Sequence, residues 1–331
     1  MGFTVKRLLA IALLPLVVAP ASSARTGEHY ALIVTGASGG EVYAQKYVRW
    51  RTSLLATLRE TFGYADDRVF VLAEQESQGI GKATRENVQR VLADLRKRLK
   101  PEDLLLIVLI GHGTSLEGLD GEDAKFNLVG PDLSAGEWSE LLRPIAGRLV
   151  FVDTTAGSFP FLRKIAGRGR VVLTATDSAA QEFETVFPEL FVQAFADPAA
   201  DIDKDGRVSV LEAFGYASAG VGHWYEQRGQ LPTERALLDD NGDGIGREFD
   251  QPGPDGAVAR ATYLESEGKP AVATDLASSA LVTRRDELRA QIEDLKARRP
   301  LMPPDQYDAQ LEKLLFELAR VSAEIRAKPR T

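Results

Sequence analysis

The chain contains no cysteine. That absence excludes disulfides, thiolate nucleophiles, thiolate zinc sites and lipid attachment through a leader cysteine. Clustered basic charge is also missing: 40 Lys and Arg stand against 48 Asp and Glu, leaving a formal charge of −8. Nucleic acid and anionic lipid surfaces select grouped Lys and Arg, so neither is expected as a partner. Beyond the first residues, no apolar run is long enough to cross a bilayer as a helix.

Residues 1–24 read as a signal peptide. Lys6 and Arg7 supply the charged start, Leu8 to Ala19 the short apolar stretch, and Ser22-Ser23-Ala24 a small-residue cleavage site. The expectation is cleavage and export to the periplasm or the outside, the alternative being an uncleaved N-terminal anchor. Losing Lys6 and Arg7 takes the formal charge from −8 to −10. Without disulfides, an exported chain must be stabilised by its core or by metal.

From His29 to Phe195, short apolar runs alternate with segments of helical period. Strands are expected at Tyr30–Thr35, Arg68–Leu72, Leu104–Ile110, Arg148–Val152 and Arg170–Thr174. Helices are expected at Glu41–Phe62, Arg85–Leu99, Ala135–Leu142 and Pro160–Ile165. Thr84 caps the second, and Ser134 with Glu137 forms a capping box ahead of the third. Runs such as Leu104–Ile110 suit strands covered on both faces, and the alternation implies a mostly parallel sheet with right-handed crossovers.

Two strand ends carry polar motifs. Gly111-His112-Gly113 follows one apolar run, and Asp153-Thr154-Thr155-Ala156-Gly157-Ser158 ends another. Open α/β sheets place their sites outside the carboxyl ends of strands.

This pair of motifs resembles the caspase/legumain superfamily of cysteine peptidases, over roughly residues 29–196. The resemblance implies a three-layer α/β fold of the caspase-haemoglobinase kind. It implies His112 as the base, the Gly113 N–H as an oxyanion donor, and Asp153 as the acidic residue lining the pocket. Relatives carry the nucleophilic Cys two residues after that acid, in an acidic-x-Cys-x-Ser-Gly pattern. Here Thr155 takes that place, with Thr154 as the alternative because the motif is one residue shorter.

A Cys thiol near pKa 8.5 is partly thiolate at neutral pH, whereas a Thr hydroxyl requires a strong adjacent base. Loss of peptidase activity is therefore the expectation. The alternative is a hydrolase with Thr155 as nucleophile and His112 as base, which needs the two within roughly 2.6–3.2 Å. The plain structural reading makes Thr155 a strand-end hydroxyl bonded to nearby backbone, and His112 a loop-held ring without chemistry.

Asp201-Ile202-Asp203-Lys204-Asp205-Gly206-Arg207-Val208-Ser209-Val210-Leu211-Glu212 fits the twelve-residue EF-hand calcium loop. Asp201, Asp203, Asp205 and Glu212 supply side-chain oxygens, the Arg207 carbonyl serves position 7, and Gly206 permits the turn. Ser209 and Glu212 also form a capping box, starting a helix over Val210–Glu226. A second candidate runs from Asp239 through Asn241 and Asp243 to Asp250, with Gly246 at the usual apolar position. Pro252 and Pro254 forbid a helix after it, and a plain turn cluster is the alternative. Extracellular calcium modules bind at about 10⁻⁴–10⁻³ M, so Ca²⁺ is expected as a structural ion.

Leu281, Leu288, Ile292 and Leu295 share a helical face, as do Leu311, Leu314, Leu318, Val321 and Ile325. Pro300, Pro303 and Pro304 separate the two sets. The expectation is an α-helical hairpin, packed on itself or the main domain, or serving a homo-oligomer.

The organisation expected is a signal peptide (1–24), a caspase/legumain-like α/β domain (28–200), a calcium-loop extension packed on it (201–268), a linker (269–282) and a helical hairpin (283–328). The function expected is that of an inactive peptidase homologue that binds or scaffolds a protein or peptide.

Overall fold

The computed structural model describes residues 27–115, 124–265 apart from 180, 182 and 252, part of 281–299, and 302–327. The expected leader, and all but one residue of the expected linker, lie outside these.

Five central strands form where the apolar runs stand: β1 (His29–Thr35), β2 (Val69–Ala73), β4 (Leu104–Ile110), β8 (Arg148–Asp153) and β9 (Arg170–Thr174). A two-residue strand, β3 (Gly81–Lys82), and β10 (Leu237–Asp239) complete a seven-stranded sheet in the order β10-β9-β8-β4-β1-β2-β3. Every pairing is parallel except β10 with β9. β4 is buried along its whole length. Its alternate side chains enter two cores, Leu104, Leu106, Val108 and Ile110 on one face and Leu105, Ile107 and Leu109 on the other.

The first face is covered by α1 (Glu41–Ala56), α5 (Phe187–Ala194) and α6 (Val210–Glu226), through Trp50, Leu54, Phe187, Phe191, Ala213 and Phe214. The second is covered by α2 (Arg85–Arg98), α3 (Ala135–Leu142) and α4 (Phe159–Ile165), through Val88, Leu92, Trp138 and Phe161. Two helical layers around a mostly parallel sheet is the architecture that strand-helix alternation dictates.

The capping signals form as read. Thr84 accepts the N–H of Asn87, and the Ser134–Glu137 and Ser209–Glu212 boxes are both closed. The helix expected over Glu41–Phe62 is α-helical only to Ala56; a π turn follows over Thr57–Thr61, with Phe62 N–H bonded to Thr57 O. Thr57 returns its hydroxyl to the Ser53 carbonyl, one of the local bonds by which Thr competes with the helix ladder.

Residues 201–268, expected as an extension, supply α6 to the same core and β10 to the same sheet. Three short strands not foreseen form a separate antiparallel sheet: β5 (Gly113–Thr114), β6 (Lys125–Phe126) and β7 (Leu133–Ser134). A short α7 spans Ala257–Arg260, and α8 spans Pro304–Ala327. The described residues within 281–298 are helical. Arg284 ties them to Glu317 of α8 at 3.0 Å, and Leu288, Leu295, Tyr307 and Val321 are buried. No helix among the described residues is long and apolar enough to cross a membrane.

Candidate functional site

The strand order reverses between β1 and β4, and the segments after these strands meet there. Gly36 N–H donates to Ile110 O at 2.9 Å, holding Gly36-Ala37-Ser38 against Gly111-His112. A crevice at the carboxyl ends of strands flanking such a reversal is where α/β sheets bind ligands.

His112 stands at that reversal. Its Nε2 lies 3.1 Å from the Ser38 carbonyl. A carbonyl only accepts, so Nε2 carries the hydrogen of the neutral ring and Nδ1 is the acceptor. Tyr43 and Tyr47 of α1 pack edge-on against the imidazole at 4.7 and 5.8 Å. Burial first, then the charges of Glu184 and Glu74, raise the Tyr47 phenol above its ordinary value. Ser38 gives its hydroxyl (2.6 Å) and N–H (3.2 Å) to Glu74, just past β2.

Asp153 and Thr155 end the neighbouring strand, with Asp153 registered against Leu109 of β4. Asp153 is fully buried; Oδ1 accepts the Thr155 N–H at 3.0 Å, and Oδ2 has no partner. Burial pushes this carboxyl up to about 7, against a partial opposing pull from the Thr155 amide and the hydroxyl nearby. That hydroxyl comes close to the carboxylate without reaching hydrogen-bond geometry to any group.

The oxygen of Thr155 is enclosed. A Cβ built on Gly113 would stand 2.5 Å from Thr155 Oγ1 and 3.1 Å from the backbone of Gly157. A Cβ on Gly157 would stand 3.0 Å from the Gly113 carbonyl carbon. Only glycine permits the two strand-end loops to approach this closely. Ser158 fixes the second loop from behind, its Oγ accepting the N–H groups of Ala175 and Thr176.

The fold therefore brings His112, Gly113, Asp153 and Thr155 to adjacent strand ends, and no hydrogen bond joins the imidazole to the hydroxyl. The backbone-bonded hydroxyl expected at Thr155 occurs at Thr154, whose Oγ1 donates to Leu109 O at 2.7 Å. Thr185 then bonds the Thr154 carbonyl at 2.6 Å. Ser38, Tyr43, Tyr47 and Glu74 were not foreseen as neighbours of His112. They belong to no motif and meet it only through strand order, although a survey of polar residues just past each strand would have raised Ser38 and Glu74.

The first acidic loop follows α5 and leads into α6. Ligand oxygens of Asp201, Asp203 and Asp205 lie within 4.8 Å of one another. Asp201 accepts the N–H groups of Asp205 and Gly206, Asp203 that of Asp205, and Asp205 that of Arg207. Lys204 and Gly206 take positive φ at the turn. Glu212 bonds the loop's second and third N–H groups, Ile202 and Asp203, through Oε1, and Ser209 through Oε2. Three converging carboxylates that only accept are a donor set suited to a hard cation.

The second loop begins in β10. Asp239, fully buried, accepts from Gly242 and Gly244; Asn241 accepts from Asp243, and Asp243 from Ile245. Asp250, expected at the twelfth position, is exposed and makes none of these bonds. Asp255 bonds this loop instead. Its Oδ1 accepts the N–H groups of Asp240 and Asn241, the loop's second and third residues, as Glu212 does in the first loop. Its Oδ2 is buried without a partner. Burial, then the nearby Asp240 and Asp243, hold Asp255 above the usual carboxylate range, and burial does the same for Asp239. The chain returns at 255 after a Pro-containing excursion, so the closing acid lies outside a twelve-residue frame.

No family model matches the chain. A 66-residue stretch is 32% identical to metacaspase-1 of Sclerotinia sclerotiorum, covering 20% of this chain and 15% of that protein. Metacaspase-1 of Botryotinia fuckeliana matches over 66 residues at 32%, covering 20% of this chain and 16% of its own. The matches thus span about a sixth of those relatives' length. Among solved structures, a Geobacter sulfurreducens protein aligns at TM-score 0.41 and 14% identity over 69% of this chain and 95% of its own. Caspase-1 of Spodoptera frugiperda aligns at TM-score 0.41 and 9% identity, over 65% and 87%.

Proposed function

We propose that this chain is an exported, calcium-binding, caspase-like domain that has lost peptidase chemistry and serves as a binding or scaffold protein for a protein or peptide. One observation carries the loss of chemistry: Thr155 Oγ1, at the position the motif resemblance assigns to the nucleophile, is buried against Gly113, with the Asp153 carboxylate nearby and no hydrogen bond to the imidazole. A hydroxyl becomes a nucleophile only when a base takes its proton. The imidazole at this site donates its Nε2–H to Ser38 O, and its acceptor nitrogen makes no hydrogen bond to the Thr155 hydroxyl.

Kinship with caspases is supported by the local identity to metacaspases and by the strand-end placement of His112 and Thr155. Calcium is supported by the three gathered carboxylates of the first loop and by the orphaned oxygen of Asp255 at the second. Export rests on the leader sequence alone. A binding role is supported by the wall of Ser38, Tyr43 and Glu74 that remains around His112 at the reversal of strand order.

Exposure to a peptide-linked β-lactone, which acylates activated hydroxyls, tests this by intact mass. The expected result is an unmodified protein with calcium or chelator. An adduct mapped to Thr155 would overturn the proposal.

A further inference from the structure

The helical segment within 281–298 reaches the first acidic loop through Arg285, a buried cation. Arg285 is 4% exposed, and its Nη1 donates to the Asp205 main-chain carbonyl at 3.0 Å across 80 residues of sequence. Its Nη2 lies 3.6 Å from Asp205 Oδ2, on a side chain that is itself fully enclosed. Tyr263 donates its hydroxyl to the same Oδ2 at 3.0 Å. Arg207, within the loop, stacks on the Tyr263 ring at 3.9 Å and pairs with Glu265 at 2.8 Å. Asp205 is thus gripped from outside by a tyrosine and a guanidinium, while its Oδ1 accepts the loop's own Arg207 N–H.

We infer that Arg285 is a positioning residue for the first calcium loop, so that calcium binding and docking of the C-terminal helices stabilise one another. This rests on the calcium reading of that loop. The carbonyl of the fifth loop residue is not a calcium ligand in the EF-hand scheme, so the Arg285 bond to it persists when the ion is held by the carboxylates. Arg285 meets that carbonyl in the same loop conformation that gathers Asp201, Asp203 and Asp205. Two partners that select one conformation are positively coupled, each by the same factor. Asp201, Asp203, Asp205 and Glu212 carry four negative charges, so a divalent ion and the guanidinium together still leave one; the two cations repel each other, and the coupling rests on the loop conformation they share. Partners that hold a metal ligand from behind are commonly worth 10-fold or more in affinity.

The test uses the full mature chain, with calcium affinity from calorimetry and hydrogen exchange of residues 304–327 in calcium or in chelator. For the natural protein, exchange in 304–327 slows on adding calcium. Arg285→Met weakens first-loop affinity by about tenfold and abolishes the calcium dependence of that exchange. Asp203→Asn, which leaves Arg285 untouched, gives the fast exchange whether or not calcium is present. If calcium binds but exchange in 304–327 ignores it, or Arg285→Met binds as tightly as the natural protein, the coupling is refuted and the calcium reading stands. If calorimetry detects no calcium in the natural protein, the calcium reading and the coupling fall together.

Discussion

Thr155 Oγ1 and the α-carbon of Gly113 occupy one crowded space: a methyl added to the glycine would lie 2.5 Å from the threonine oxygen. The contact joins the segments that follow β4 and β8, and it encloses the Thr155 hydroxyl.

The two adjacent threonines should respond oppositely to the same change. Thr155→Val removes a buried hydroxyl that has no partner, so stability should hold or rise by up to about 1–2 kcal/mol. Thr154→Val removes the bond to Leu109 O and should cost about 1–2 kcal/mol. Urea unfolding of both variants decides it; equal losses would show that the Thr155 hydroxyl is satisfied in solution.

Asp153 makes stability pH-dependent. Its carboxyl is raised to about 7 in the folded chain and titrates near 4 when unfolded. Between those values the folded state holds the extra proton, so this contribution is intact below about pH 4 and is lost as pH rises to about 7. Glu234 behaves alike: it is buried, raised to about 7, and accepts the N–H groups of Val186 and Phe187 at the start of α5. Asp153→Asn should therefore gain on the order of 2 kcal/mol over the natural protein at pH 8 and little at pH 4. Urea midpoints at both pH values measure this, and a gain independent of pH would contradict it.

Calcium should stabilise the chain by mass action. At 100 times a dissociation constant of about 10⁻⁴ M, one site adds about 2.7 kcal/mol, or roughly 5–10 °C in Tm for a domain of this size. Calorimetric melting in 10 mM calcium and in chelator reads the difference. Asp203→Asn should lose the first loop's share, and a curve that ignores chelator would refute a folded-state metal site.

The second loop offers a sharper choice between two acids. Asp255→Asn should remove one calcium from the stoichiometry found by calorimetry, because Asp255 approaches the loop's second and third N–H groups. Asp250→Asn, on an exposed side chain, should leave the count unchanged. The reverse pattern would restore the twelve-residue frame.

What the sequence made legible was what neighbours along the chain determine. β4 over Leu104–Ile110 and β9 over Arg170–Thr174 have the expected limits because their apolar runs are continuous. α3 and α6 start where expected because each capping box closes within four residues. Helix α5 escaped notice: its first N–H groups are capped by Glu234, 47 residues later, rather than by a local Ser or Thr. Strands β5 to β7, two residues each, exist only through pairing across the chain. The same limit governs the sites. The first acidic loop is contiguous and could be read residue by residue, whereas Asp255, Ser38 and Arg285 arrive from distant segments.

Cleavage of a broad peptide library by the mature chain tests the central claim most directly. It should be run in 10 mM calcium and in chelator, with Thr155→Ala alongside. Turnover no greater than that of Thr155→Ala in either condition is the expected result. Calcium-dependent cleavage that disappears with Thr155→Ala would contradict the claim that the enclosed hydroxyl is inert.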